Sequence, residues 1–217
     1  MSLDHVLIIG AKLRAARLQQ KLSLRDLAAR AEVSPSLLSQ IENGKTNPSV
    51  LTLHSVATAL DVPITYFFPN PEENSTQQVV LMRSEKPVGK VHSDKQGGFD
   101  AQVLVHHSPV LHPSARVAIE LMGGVRWERL TPADEENIQF LEIHYPPGAT
   151  SGLAKSHHSG REFGLVLAGE LKLEIGFESY TLTAGDSVIF DSSLPHRLIN
   201  EGADAVRAVW VDMKPSG

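Results

Sequence analysis

Apolar residues along this chain follow two different periods. From residue 6 to 68 they recur at helical spacing, in short runs interrupted by cap residues. The stretch "SLRDLAARA" opens with Ser23 and carries Asp26 three residues later, the spacing of a capping box. "SPSLLSQIENG" opens with Ser34 as cap and Pro35 at the first helical position, and it closes on Gly44. "NPSVLTLHSVATAL" repeats the device with Asn47 and Pro48. The pattern predicts five short helices, at about 6–19, 24–31, 35–42, 48–60 and 63–68. "FFPNPEENSTQQ" then breaks the period with prolines, acids and amides and reads as a linker. Beyond it the period drops to two, in "FLEIHY", "FGLVLAGELKLEIG" and "DSVIFDSS", with Gly, Pro and Asp turns between. Further strands are expected in "QQVVLMR", "DAQVLVHH" and "RVAIELMG". The fold class is therefore α + β in two domains: a helical bundle over 1–69, a linker at 70–79 and an all-β barrel or sandwich over 80–217.

Composition narrows the setting. The chain is 41% hydrophobic and 21% charged, as in an ordinary soluble globular protein. No stretch approaches the roughly 18 consecutive apolar residues of a membrane span. An acid precedes the N-terminal apolar run, and no small-residue cleavage site follows it, so a secretory signal is not expected and the location expected is cytoplasmic. Without cysteine, any metal must rest on nitrogen and oxygen ligands. Charge is uneven. Residues 1–69 carry seven Lys/Arg against five Asp/Glu, while the remainder is net −7. A basic head on an acidic body suits a partner that is a polyanion.

Two short helices, "LRDLAARA" and "PSLLSQIEN", are joined by only "EVS". That is a helix-turn-helix layout, in which the second helix enters the major groove. On this helix Leu37, Leu38 and Ile41 form the inward face, while Ser34, Ser36, Ser39 and Gln40 offer hydroxyls and an amide to a duplex. Asn43 and Lys45 follow where a phosphate clamp would sit. Residues 8–68 resemble the XRE, or lambda-repressor-like, helix-turn-helix family. The resemblance implies base and phosphate contacts from Ser34, Ser36, Gln40, Asn43 and Lys45, and a structural pair between Arg17 and Glu42. Leu24 stands where that family has a long polar residue, so that contact is not implied for it, and Arg25 is the residue expected to substitute. The Gly-Lys-Thr inside "NGKTNPS" lacks the upstream glycine and the preceding strand of a phosphate-binding loop.

In the β region "SHHSGREFG" sets His158 four residues before Glu162, and "LPHRLIN" supplies His196 and Asn200. Residues 138–212 resemble the cupin family, with a weaker likeness over 80–137. Glu162 and Gly169 match its first motif, His158 matches the second histidine, and Ser156 replaces the first. His196 and Asn200 match the second motif, where Asp191 and Ser193 replace proline and glycine. His158, Glu162 and His196 then form a two-histidine, one-carboxylate set suited to Fe(II), Zn, Ni or Mn, with His157 as an alternate ligand. The same residues also suit a metal-free effector pocket, or a vestige of one. The remaining histidines (5, 54, 92, 106, 107, 112, 144) have no carboxylate at ligand spacing and read as surface or hydrogen-bonded residues.

The two-module layout resembles bacterial transcription factors whose barrel senses a small molecule and dimerises. That implies a homodimer on a palindromic double-stranded DNA operator, with no membrane partner and no catalytic role. The layout also resembles mononuclear-iron oxygenases, including an epoxide-forming phosphonate family, in which the three ligands would hold iron and the head would be architectural. The retained Ser36, Gln40, Asn43 and Lys45 favour the regulator.

Overall fold

The computed structural model describes residues 3–69, 109–135 and 137–214. The expected strands "QQVVLMR" and "DAQVLVHH" and the linker lie outside these residues.

The helical domain consists of α1 (Leu3–Gln19), α2 (Leu24–Arg30), α3 (Pro35–Glu42) and α4 (Val50–Ala59), followed by a one-turn 3-10 helix at Ile64–Phe67. Ser23 and Asp26 form the full capping box of α2. The Ser34 hydroxyl caps α3 by accepting from Leu37 N–H, with Pro35 in its first turn. Two expectations are corrected. First, α4 starts at Val50 rather than residue 48. Ser49, not Asn47, accepts from Thr52 N–H, and the Pro48 carbonyl is turned outward to accept from Met122 N–H at 2.9 Å. Second, the fifth helix is a 3-10 turn. Pro63 gives it no side-chain cap, and Pro69 holds Phe68 extended, so no i→i+4 ladder can propagate.

The bundle is sewn together at the crossing of α1 and α3. Gly10 lies so close to the Ile41 and Glu42 carbonyls that a Cβ there would overlap them. Two turns later the Arg17 guanidinium grips the Glu42 carboxylate through both oxygens, at 2.6 and 2.8 Å, and donates to Leu22 O at 2.8 Å. Leu27, Leu38, Ile41, Leu53, Leu60 and Phe67 fill the interior.

Nine strands follow: β1 (Ala118–Glu120), β2 (Arg126–Arg129), β3 (Ile138–Tyr145), β4 (Arg161–Ala168), β5 (Glu170–Ile175), β6 (Glu178–Thr183), β7 (Ser187–Asp191), β8 (His196–Ile199) and β9 (Val206–Met213). They make a six-stranded sheet in the order β1-β2-β3-β9-β4-β7 and a three-stranded sheet, β6-β5-β8, all antiparallel. The two inner faces enclose a core of Val166, Leu171, Leu173, Leu198, Ala208 and Trp210. The run "RVAIELMG" yields only three strand residues, because Gly123 at φ 77 turns the chain.

Register determines which side chains share the barrel interior. Gln139 pairs with Asp212, Asp212 with Glu162, and Glu162 with Phe190, so the four form one row across β3, β9, β4 and β7. The adjacent inward row runs Leu141, Trp210, Gly164, Val188. Gly164 has no Cβ because the Trp210 ring occupies that space.

The helical domain rests on this barrel through α4. Leu51 N–H donates to Ser151 O at 3.0 Å, and the Leu51 side chain covers Gly152.

Candidate functional sites

On the helical domain, Arg25, Ser34, Ser36, Gln40, Asn43 and Lys45 are exposed and Ser39 is half-buried, while Leu38 and Ile41 on the opposite side of α3 are fully buried. The barrel packs against α4 and Pro48, which leaves this polar face of α3 open to solvent. Not every side chain there is equally free. The Asn43 amide donates back to Ser39 O at 2.7 Å, and the Ser34 oxygen is engaged as a cap, which leaves its O–H to donate outward. Gln40 makes only a long contact to Ser36, at 3.5 Å, so its amide can be redirected to a base edge.

Inside the barrel, His158, Glu162 and His196 present one ligand atom each, all within 4.8 Å of one another. Glu162 comes from the first residues of β4 and faces inward by strand alternation. His196 opens β8 on the opposite sheet, and His158 lies in the loop before β4, where its N–H donates to Ser192 O. Glu162 Oε1 sits 2.8 Å from His158 Nε2 and 3.0 Å from His196 Nε2, while its other oxygen accepts from the Trp210 indole at 2.5 Å. His157 is exposed and stands outside this group. Asn200 is fully buried and serves the fold: its amide donates to Tyr145 O and Asp204 O, and its oxygen accepts from Gly202 N–H.

The electrostatics follow from one carboxylate serving two imidazoles. Burial by itself would raise the Glu162 carboxyl, but the bonds from His158 and His196 outweigh it and hold the group far below the usual range. Burial opposes charge on His158 too, yet Glu162 and then Asp212 win and its imidazole is raised. Asp212 is served less well: its Oδ1 is buried without a hydrogen bond, 3.9 Å from His158 Nδ1, and burial outweighs that attraction and pushes its carboxyl up to about 6.

The residues fit a divalent cation. His196 Nδ1 lies 2.9 Å from the Leu194 carbonyl, which can only accept, so that nitrogen carries a proton. The Nε2 facing Glu162 then needs a second proton, or a cation in its place. A backbone carbonyl fixing one histidine ligand and an indole fixing the carboxylate are the supports that metal ligands usually have. A second acidic group, Glu128, Glu142 and His144, is of another kind. Arg116, Arg126 and Arg207 already neutralise it, with Arg116–Glu142 and Arg207–Glu142 both at 2.9 Å.

Sequence spacing did not bring out His54. It lies on α4, yet its ring stacks on His158 at 4.8 Å between centroids and 8° between planes, with Trp127 at its edge. Burial, then His158, lowers its imidazole to about 3, so it is neutral at pH 7. Trp210 and Asp212 were legible only as alternate residues of one strand.

Two family comparisons match separate parts of the chain: the helix-turn-helix family HTH_3 over residues 13–67 and the Cupin_2 domain over 141–212. The HTH-type transcriptional regulator PuuR of Escherichia coli is 29% identical over 95% of both chains. The HTH-type transcriptional regulator SutR, also of E. coli, is 25% identical over 91% of this chain and 90% of its own. An HTH_3 family transcriptional regulator from Vibrio cholerae superposes over the whole of both chains with a TM-score of 0.64 at 20% identity, which is a likeness of fold.

Proposed function

The chain belongs to the XRE-type helix-turn-helix transcriptional regulators that carry a cupin domain, and from that premise we propose how it works. It is a cytoplasmic regulator that binds a palindromic operator as a homodimer and responds to a small ligand held in the barrel, and it is not a catalyst. Among the described residues no helix is long and apolar enough to cross a membrane. The observation that carries the proposal is the exposed polar face of α3, with Gln40 on it and Lys45 in the loop just beyond, both exposed on the side away from the buried Leu38 and Ile41. Two copies would place two such helices about one duplex turn, roughly 34 Å, apart.

The test is binding to DNA upstream of the protein's own coding sequence, measured across a salt series. Gln40→Ala is expected to cost about 1–3 kcal/mol at the preferred site and to relax base preference. Lys45→Ala should weaken all sequences alike and reduce the salt slope by about 1. Unchanged affinity in both variants would remove α3 as the recognition helix.

In the barrel, His158, Glu162 and His196 would hold one divalent cation, which would supply a Lewis-acid centre with open positions for an effector. Trp210 holds the carboxylate in place, and the Leu194 carbonyl sets the His196 tautomer. Titration of the chelator-treated protein with zinc should give one ion per chain, with affinity reduced by about two orders of magnitude or more in Glu162→Gln. Zinc uptake unaffected by that substitution would make the pocket metal-free. Iron near one per chain, with consumption of O₂, would instead favour the oxygenase.

A further inference from the structure

We infer that His54, a residue of the DNA-binding domain, is the wall that sets the size of ligand the barrel site admits. The inference rests on the reading of His158, Glu162 and His196 as a ligand site. Two cavities meet at the His54 ring. The inner one has a volume of about 30 Å³ and is lined by Trp127, Glu162, His196 and Trp210. The outer one, about 200 Å³, is a cleft between α4 and the barrel bordered by Thr58, Asp61, His158 and Lys214. His54, Gln139 and Asp212 line both, and of these only His54 comes from the helical domain. Its flat stack on His158 places the ring as a partition between them.

The volumes decide what passes. An inner space of about 30 Å³ holds an ion or one or two waters. Organic ligands occupy pockets of roughly 300–1,000 Å³. Only with the partition moved does the inner cavity join the outer cleft, and the joined space, still below that range, lets a small organic molecule reach Glu162 and His196 as well as His158, which already borders the cleft. Among the described residues no hydrogen bond fixes the His54 ring, so stacking alone holds it there. Its helix is also the one bonded to the barrel, and it follows directly on the loop that carries Lys45. A ligand that expels His54 therefore acts on the DNA-binding domain at its point of attachment.

The chain's two tryptophans, Trp127 and Trp210, both line the inner cavity and report entry into it. Acrylamide quenching of their fluorescence in the full-length protein is the test. His54→Ala is expected to raise the quenching constant at least about twofold by merging the cavities, while His54→Phe, which keeps a ring in place, stays near wild type. Equal quenching in wild type and His54→Ala overturns the inference, as does a His54→Phe variant as open as the alanine. Zinc alone, small enough for the closed cavity, is titrated in parallel. Loss of zinc binding in every form would sink the ligand-site reading, whereas the acrylamide comparison still judges the partition.

Discussion

Replacing Glu42 by alanine lowers the unfolding free energy of the helical domain by about 3–5 kcal/mol, because it strands the Arg17 guanidinium without its partner. The side chains of Arg17 and Glu42 are only 10% and 5% exposed, which separates this pair from a surface ion pair worth about 0–1 kcal/mol. Arg17 places Nε and Nη2 on Glu42 and Nη1 on Leu22 O, so losing the carboxylate leaves two of its donors unpaired. A loss of that size is a large part of the roughly 5–15 kcal/mol that holds a domain folded. Glu42 is also the last residue of α3, so the polar face of that helix loses its anchor to α1 and DNA affinity falls with stability. The double replacement Arg17→Met with Glu42→Leu is expected to recover most of the loss, since apolar residues of similar volume substitute well for a buried pair. Denaturant unfolding of both variants measures this; a cost below about 1 kcal/mol for Glu42→Ala would show that the pair behaves as a solvated one.

What could be read from the sequence was local, or carried by a resemblance. Ser23 with Asp26, and Ser34 with Pro35, mark helix starts through chemistry confined to four residues, and both caps form as read. Asn47 and Pro48 looked equally persuasive, but Ser49 can reach Thr52 N–H, and the Pro48 carbonyl bonds a loop of the other domain. No local signal reveals that competition. His158 was set by the cupin register, whereas the choice against His157 needed the loop's geometry. The inward position of Trp210 and Asp212 follows from strand alternation, but their juxtaposition with Gly164 and Glu162 depends on the pairing of β4 with β9. His54 was out of reach for a different reason. It sits more than 100 positions from His158, on an element whose own pattern explains it as a residue of a helix. Only the docking of one domain on the other turns it into part of a site.

Asp212→Asn stabilises the metal-free protein, and the gain depends on pH. In the native state burial raises the Asp212 carboxyl from 3.8 to about 6, so the fold favours its protonated form. Well below its ordinary value of 3.8 the group is neutral whether the chain is folded or not, and Asp212 carries no penalty. As pH rises through about 6 the native state has to accept a buried charge that the unfolded chain solvates, and stability is lost. A shift of that size corresponds to about 3 kcal/mol at pH 8. Asparagine keeps the shape without the charge. The variant should therefore be more stable than wild type by up to about 3 kcal/mol above pH 7, with the difference shrinking towards zero near pH 4. Glu162 runs in the opposite sense: its carboxyl is held low by two imidazoles, so the stability it provides is present at neutral pH and lost in acid. The two carboxylates are neighbours in one row of the sheet, and the same burial acts on both. Two histidines within hydrogen-bond reach of Glu162, against one at 3.9 Å from Asp212, account for the difference. Unfolding curves with a chelator present, taken from pH 4 to 8, test the point. A stability difference between Asp212→Asn and wild type that does not vary with pH would mean that Asp212 titrates alike in the folded and the unfolded chain, and one that reverses sign would mean that a cationic partner outweighs its burial.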